Sequence, residues 1–314
     1  MLDSKSISCF EFKNVSKSFA DKIVLDDVSL TIPKGSSLCF VGGNGSGKTT
    51  ALKLCANLLL PDSGEVYFDG EVVKVDDIRL QSKIGAFFNP ERSLYWRLSG
   101  WENVLRTIEL KKANRSKEIE AANDLFRLLE LEEAKHKQVG TYSKGMKAKI
   151  LFINAMISDP EVIILDEPFE GLDVQTRRTV INMLSTLQKK GKTILLTAHN
   201  LLEMQNFSSH VCWFDEGRIR YIGSPEELIK SIPGQGVVEV YTQKAEIYIG
   251  IMRKDKLDYI DLVQDEDILR ILTDDLTGTF NYFEKIIDAT YERLELHAKG
   301  LEDVYVFYKG EKDK

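Results

Sequence analysis

The chain has no apolar run approaching the roughly 18 residues of a membrane-spanning helix, and its opening MLDSKSISCF lacks the hydrophobic stretch of a secretory signal. Both absences lead us to expect a protein made and kept in the cytosol. Paired metal-binding cysteines are missing too. Cys9, Cys39, Cys55 and Cys212 are widely spaced within apolar runs, with no CxxC pair and no histidine cluster beside them, so they read as small buried hydrophobes. The sequence shows no internal repeat, low-complexity tract or sustained heptad, which excludes solenoids and long coiled coils. With 43% apolar and 29% charged residues, disorder is excluded as well. A net charge of −7 argues against a nucleic-acid binder, and no nucleic-acid partner is expected.

At 314 residues, the length fits two domains, on a prior of roughly 100–200 residues each. Residues 8–32 alternate like two strands of a hairpin, and EVYFDGEVV places Asp-Gly between alternating apolar positions, a second hairpin signal. The short buried run SSLCFV enters a glycine-rich loop, followed by the helical pattern TTALKLCANLLL up to Pro61. Residues 99–157 read as mostly helical, with breaks at Ser116 and around 140–143, so a helical subdomain is expected over about 90–160. EVIILDEP and KTILLTAH, separated by a helix, make a strand, helix, strand unit of a buried parallel sheet. After the hairpin VCWFDEGRIRYIG and the helix SPEELIKSI, the segment IPGQG is the expected linker. The expected division is 1–230 and a small α+β domain at 231–314. The expected fold is a P-loop NTPase core with an antiparallel β subdomain.

Chemistry concentrates in three places. GGNGSGKT, residues 42–49, satisfies GxxxxGK[ST] between a buried strand and a helix. Gly42, Asn44, Gly45, Ser46 and Gly47 would curl backbone N–H groups around a β-phosphate, Lys48 would reach the β and γ oxygens, and Thr49 would ligate Mg²⁺, with Thr50 following. IILDEP ends a strand with Asp166, suited to hold the metal, and Glu167, able to accept a proton from water attacking the γ-phosphate. TYSKGMKAKI places Ser143 as the N-cap of a helix whose start favours an anion.

Phosphate loop, helical insertion, YSKGM, LDEP, EGLD and a strand ending in histidine follow one another as in ATP-binding cassette (ABC) ATPases, which residues 9–230 resemble. The resemblance implies that Ser143 and Gly145 meet the γ-phosphate of an ATP held by a second subunit, with Lys144 and Met146 replacing the usual glycine and glutamine. It also implies that Glu170 to Asp173 cross the dimer interface, that His199 contacts the γ-phosphate, and that Phe19 stacks on adenine. Asn89 stands where the family has a glutamine that contacts Mg²⁺ and the attacking water. The YSKGM form and GLEDVYVFYKG near the end are similar to the exporter branch whose membrane subunits are separate chains. The implied protein is an ATPase on the cytoplasmic side of a membrane, pairing with a second ATPase subunit, expected to be identical, and with permease subunits. Tyr95, Trp96 and Trp101, in ERSLYWRLSGW, are candidate anchors for a permease. The alternative is a soluble cassette ATPase acting on nucleic acid or the ribosome. No NKxD guanine-reading motif accompanies the loop, which argues against a GTPase.

Overall fold

A computed structural model describes residues 8–88, 93–197, 207–265, 267–287 and 292–312. They form two compact units, the first comprising 8–197 and 207–223 and the second 224–312.

In the first unit, β1 (Ser8–Phe19) pairs antiparallel with β2 (Lys22–Pro33) and with β4 (Ser63–Phe68), which turns back as β5 (Glu71–Val72). Asp69 and Gly70 both take positive φ, 49° and 80°, as the expected Asp-Gly hairpin requires. A second sheet has the order β10-β9-β3-β8-β7-β6. Its members are β3 (Ser37–Val41), β6 (Ile84–Phe87), β7 (Val162–Asp166), β8 (Thr193–Thr197), β9 (His210–Asp215) and β10 (Arg218–Gly223). All its pairings are parallel except that of the edge strand β10 with β9. Every residue of β3 and β8 is buried, which is why these strands read as continuous apolar runs rather than alternating ones. One core joins the two sheets, with Phe10, Phe12 and Leu25 from the first packed with Phe40, Leu52 and Phe214 around the second.

Helix α1 (Lys48–Cys55) stops short of the expected limit at Pro61. Asn57 takes φ 55° and the Leu58 N–H returns to the Lys53 carbonyl at 2.9 Å, a glycine-free version of the usual left-handed helix stop. The short helix α2 (Ile78–Lys83) was not anticipated; Asp77 caps it by accepting from Arg79 N. The expected helical region contains α3 (Gly100–Leu110), α4 (Arg115–Leu128) and α5 (Lys144–Met156). Ser99 and Glu102 form a reciprocal capping box on α3, and the cap of α4 is Asn114 rather than Ser116. Helix α6 (Val174–Lys189) returns the chain to β8. Burial pushes the Cys9 thiol up to about 12 and raises those of Cys55 and Cys212, so the buried cysteines behave as apolar groups.

The second unit opens with α7 (Pro225–Ser231), which packs against the last helix, α10 (Leu301–Lys312). Through that contact the division falls at Gly223, ahead of the expected boundary at 230. Strands β11 (Gly236–Tyr241), β12 (Asp261–Asp265), β13 (Ile268–Thr273) and β14 (Arg293–Ala298) form an antiparallel sheet in the order β12-β13-β11-β14. Val238, Val240, Leu269 and Ile271 pack with Tyr248 and Met252 of α8 (Ala245–Asp255) and Phe283 of α9 (Leu276–Ile286). Two-residue alternation turns Glu239 and Arg270 the other way, where Arg270 Nε lies 2.6 Å from Glu239 Oε1 and His297 Nε2 lies 3.7 Å from it. Pairing with His297, then with Arg270, holds the Glu239 carboxyl down at about 2, and the same pairing raises His297 to about 9.

Candidate nucleotide site

The site is built where β3, β7 and β8 end. Strand β3 delivers Val41 directly into the loop 42–47, and α1 leaves it at Lys48. Gly42 has φ 140°, and a Cβ there would lie 2.1 Å from the Phe214 carbonyl oxygen; one on Gly47, at φ 109°, would lie 2.7 Å from the Val24 oxygen. No other residue fits these two positions, so the loop keeps its curl only with glycine. Asn44, Gly45, Ser46, Gly47, Lys48, Thr49, Thr50 and Glu167 line one pocket, together with Lys22 and Val24 of β2.

Lys48 is buried, and its Nζ donates to the carbonyls of Gly42 at 2.8 Å and Gly43 at 2.9 Å. Burial lowers its pKa, while the negative charges of Glu167 and Asp166 act in the opposite sense. A buried cation held against the carbonyls of a glycine-rich loop at a helix start is suited to bind a polyphosphate. The Ser46 hydroxyl is buried without a hydrogen-bond partner among the described residues, and a nucleotide seated in the loop would supply one.

Asp166, the last residue of β7, receives Thr49 Oγ1 from α1 at 3.0 and 3.1 Å and Thr197 Oγ1 from β8 at 2.8 Å. The Thr197 hydroxyl also accepts from the Glu167 N–H at 2.9 Å. This bond anchors Glu167 in a left-handed conformation, φ 53°, which turns the residue away from the strand path at a cost of about 1 kcal/mol. Thr49 and Asp166 are hard oxygen donors fitted to Mg²⁺, which is held with substrate phosphates rather than in an all-protein cage. Among the described residues no group of three or more His, Cys, Asp or Glu side chains could form such a cage.

Ser143, Gly145, Asp173 and Phe19 are not among the residues that line this pocket. Ser143 caps α5, accepting from Met146 N at 3.2 Å, as its position before the helix predicts. Gly145 packs on the loop 170–173, since a Cβ there would lie 2.5 Å from the Gly171 oxygen. Asp173 caps α6, and both its oxygens are engaged by Thr176, which lowers its pKa. Phe19 ends β1 with its ring half exposed and Lys17 Nζ 5.8 Å from its centre. Asn89 and His199 fall outside the described residues, as do Glu91 and Arg92 of the aromatic segment.

Two contributors escaped the sequence reading. Thr197 stands two residues before His199 in TAHN, a position legible only once β8 is known to lie beside β7. Lys22 reaches the pocket by the β1–β2 turn, where the sequence shows an ordinary exposed lysine. The aromatic segment divides. Tyr95 and Trp96 are about half exposed, with Arg106 and Lys147 lying 4.2 and 4.5 Å from their ring centres. Trp101, expected as a third anchor, instead packs edge-on against Phe126 at 5.8 Å with Lys135 Nζ 4.2 Å from its ring, so it holds the helical region together.

Residues 25–170 match the ABC transporter family model. Curated relatives include the Nod factor export ATP-binding protein I of Burkholderia lata, 33% identical over 75% of this chain and 77% of that protein. Another is the ABC transporter ATP-binding protein NatA of Bacillus subtilis, 32% identical over 73% of this chain and 95% of that protein. Among solved structures, the dimeric structure of a bacterial ABC transporter cassette is similar with a TM-score of 0.63 at 26% identity, over 68% of this chain and 98% of that one.

Proposed function

Because the chain belongs to the ATP-binding, ATP-hydrolysing subunits of ABC transporters, we propose that it powers an exporter as a homodimer enclosing two ATP molecules and docked on separate membrane subunits. The observation that carries this reading is the convergence of the glycine loop, Lys48, Thr49 and Glu167 on one pocket, with Asp166 hydrogen-bonded to Thr49. The loop amides and Lys48 bind the β- and γ-phosphates, and Phe19 lies against the base. Thr49 and Asp166 would hold Mg²⁺, the role of Asn89 resting on the family resemblance alone, and the ion would neutralise phosphate charge. Glu167 accepts the proton of the attacking water while His199 binds the γ-phosphate.

Ser143, Gly145 and Asp173 do not line the pocket of their own chain, as expected if they serve the partner's ATP. The anion then completes the start of α5 across the dimer, so closure depends on ATP and hydrolysis releases it. Tyr95 and Trp96 offer exposed aromatic anchors for a membrane subunit. No helix among the described residues is long and apolar enough to cross a membrane, which fits a peripheral subunit on the cytoplasmic face. The export branch rests on the relatives' printed role and on the YSKGM form.

Replacing Glu167 by Gln tests the reading. ATP binding should persist, turnover should fall at least about 100-fold, as loss of a general base typically brings, and light scattering should show an ATP-dependent dimer. Near-normal hydrolysis, or a monomer at saturating ATP, would reject the assignment.

A further inference from the structure

Lys144 occupies the first turn of α5, where a cation opposes the helix dipole and where no acidic residue balances it. The compensating charge comes from the loop after Glu167: Lys144 Nζ forms an ion pair with Glu170 Oε1. The lysine stem lies over Gly171, whose own Cβ would sit 3.2–3.4 Å from Lys144 Cγ, Cδ and Cβ. Gly145 closes on the same loop, with room for hydrogen only against the Gly171 oxygen. Glu170 is also tied to the catalytic carboxylate's turn, since its N–H donates to the Glu167 carbonyl at 3.3 Å.

We propose that Lys144 and Glu170 form a clasp within one subunit, locking the anion loop at 143–145 to the loop that carries Glu167. The inference rests on the proposed function, in which those two loops serve different ATP molecules. The clasp makes them move as one piece, so that engagement of the partner's nucleotide by Ser143 and Gly145 also sets the loop of Glu167 over the subunit's own. Lys144 and Glu170 are positioning residues here; neither touches the reacting atoms. Glycine at position 144, the usual residue of the family's loop, carries no charge to form such a pair.

A rival role for Lys144, direct attraction to the partner's phosphate, predicts the opposite sign at its mate. The test is a double-mutant cycle with the neutral replacements Lys144→Gln and Glu170→Gln, singly and together, in the Glu167→Gln background. ATP is titrated while dimer formation is followed by sedimentation. If the clasp is right, each single change raises the ATP concentration for half-maximal dimerisation by a similar factor, about 2–5-fold for an exposed pair, and the double change is no worse than either. Glu170→Gln tightening the dimer while Lys144→Gln loosens it would overturn the clasp and assign Lys144 to the phosphate; additive losses would overturn it too. Failure of the parent Glu167→Gln to dimerise at all would instead reject the proposed function. Melts of the same variants without nucleotide read the pair in the single chain, where non-additive shifts in Tm are expected and additive ones count against it.

Discussion

Thr197→Val removes one hydroxyl and preserves side-chain shape, which makes it the cleanest probe of how the carboxylates are held. Thr197 is fully buried, donates to Asp166 at 2.8 Å and accepts from the Glu167 N–H at 2.9 Å. The first bond has an ionised acceptor and is worth about 1.5–3 kcal/mol, and stranding the buried N–H costs about 1–3 kcal/mol. Partial relaxation leaves an expected loss of about 2–4 kcal/mol, or roughly 4–15 °C in Tm for a unit of this size. Turnover should fall further than stability alone requires, by roughly 10–100-fold, because Glu167 loses the anchor of its left-handed backbone and the reacting geometry loosens. Thr197→Ser keeps the hydroxyl and should recover most of both quantities. Thermal melts and steady-state phosphate release on the two purified variants decide the matter. A Val variant that melts and turns over like the parent would show that the hydroxyl bridge does not hold the two carboxylates.

Three other outcomes follow from the structure. Trp101→Ala should lower stability by about 2–3 kcal/mol, below the usual cost for a fully buried aromatic because the residue is only partly buried, whereas Trp96→Ala should stay within about 1 kcal/mol of the parent and fail in copurification with a membrane subunit; equal melts for both would refute the division. Gly145→Ala drives a methyl into the Gly171 oxygen and should cost about 1–3 kcal/mol as overpacking does, measured by denaturant titration, with an unchanged midpoint as the contrary result. The raised pKa of His297, about 9, means that its stabilisation is complete below the unfolded value near 6.5 and disappears as pH rises through 9. Discounted for the partly exposed ring, the loss is about 1–2 kcal/mol, so second-unit melting should drop between pH 6.5 and 9.5, and His297→Gln should flatten that decline.

Most of the first unit was legible because its signals are local. The Asp-Gly turn, the loop between β3 and α1, and the continuous runs of β7 and β8 each carry their meaning within a few residues. Helix α1 ended early because Asn57 supplies a left-handed stop without glycine, a role its composition does not reveal. Long-range partnerships were hidden. Thr197 meets Asp166 across 31 positions and Lys144 meets Glu170 across 26, and nothing in either stretch marks the other as its neighbour. Trp101 illustrates the same limit, since an aromatic reads alike whether it faces a partner or its own Phe126.

The placement of the cysteines makes the chain its own reporter of unfolding. All four are buried in the first unit, and residues 224–314 contain none. With burial raising the thiol pKa of Cys9, Cys55 and Cys212, and Cys39 buried as well, a maleimide added to the native protein finds nothing to alkylate, and labelling proceeds only as the first unit opens. Events confined to the second unit stay silent in that channel, so pulse alkylation reads the opening free energy of the first unit alone. Cysteines introduced on the surface for cross-linking or fluorophores need no prior removal of the natural ones.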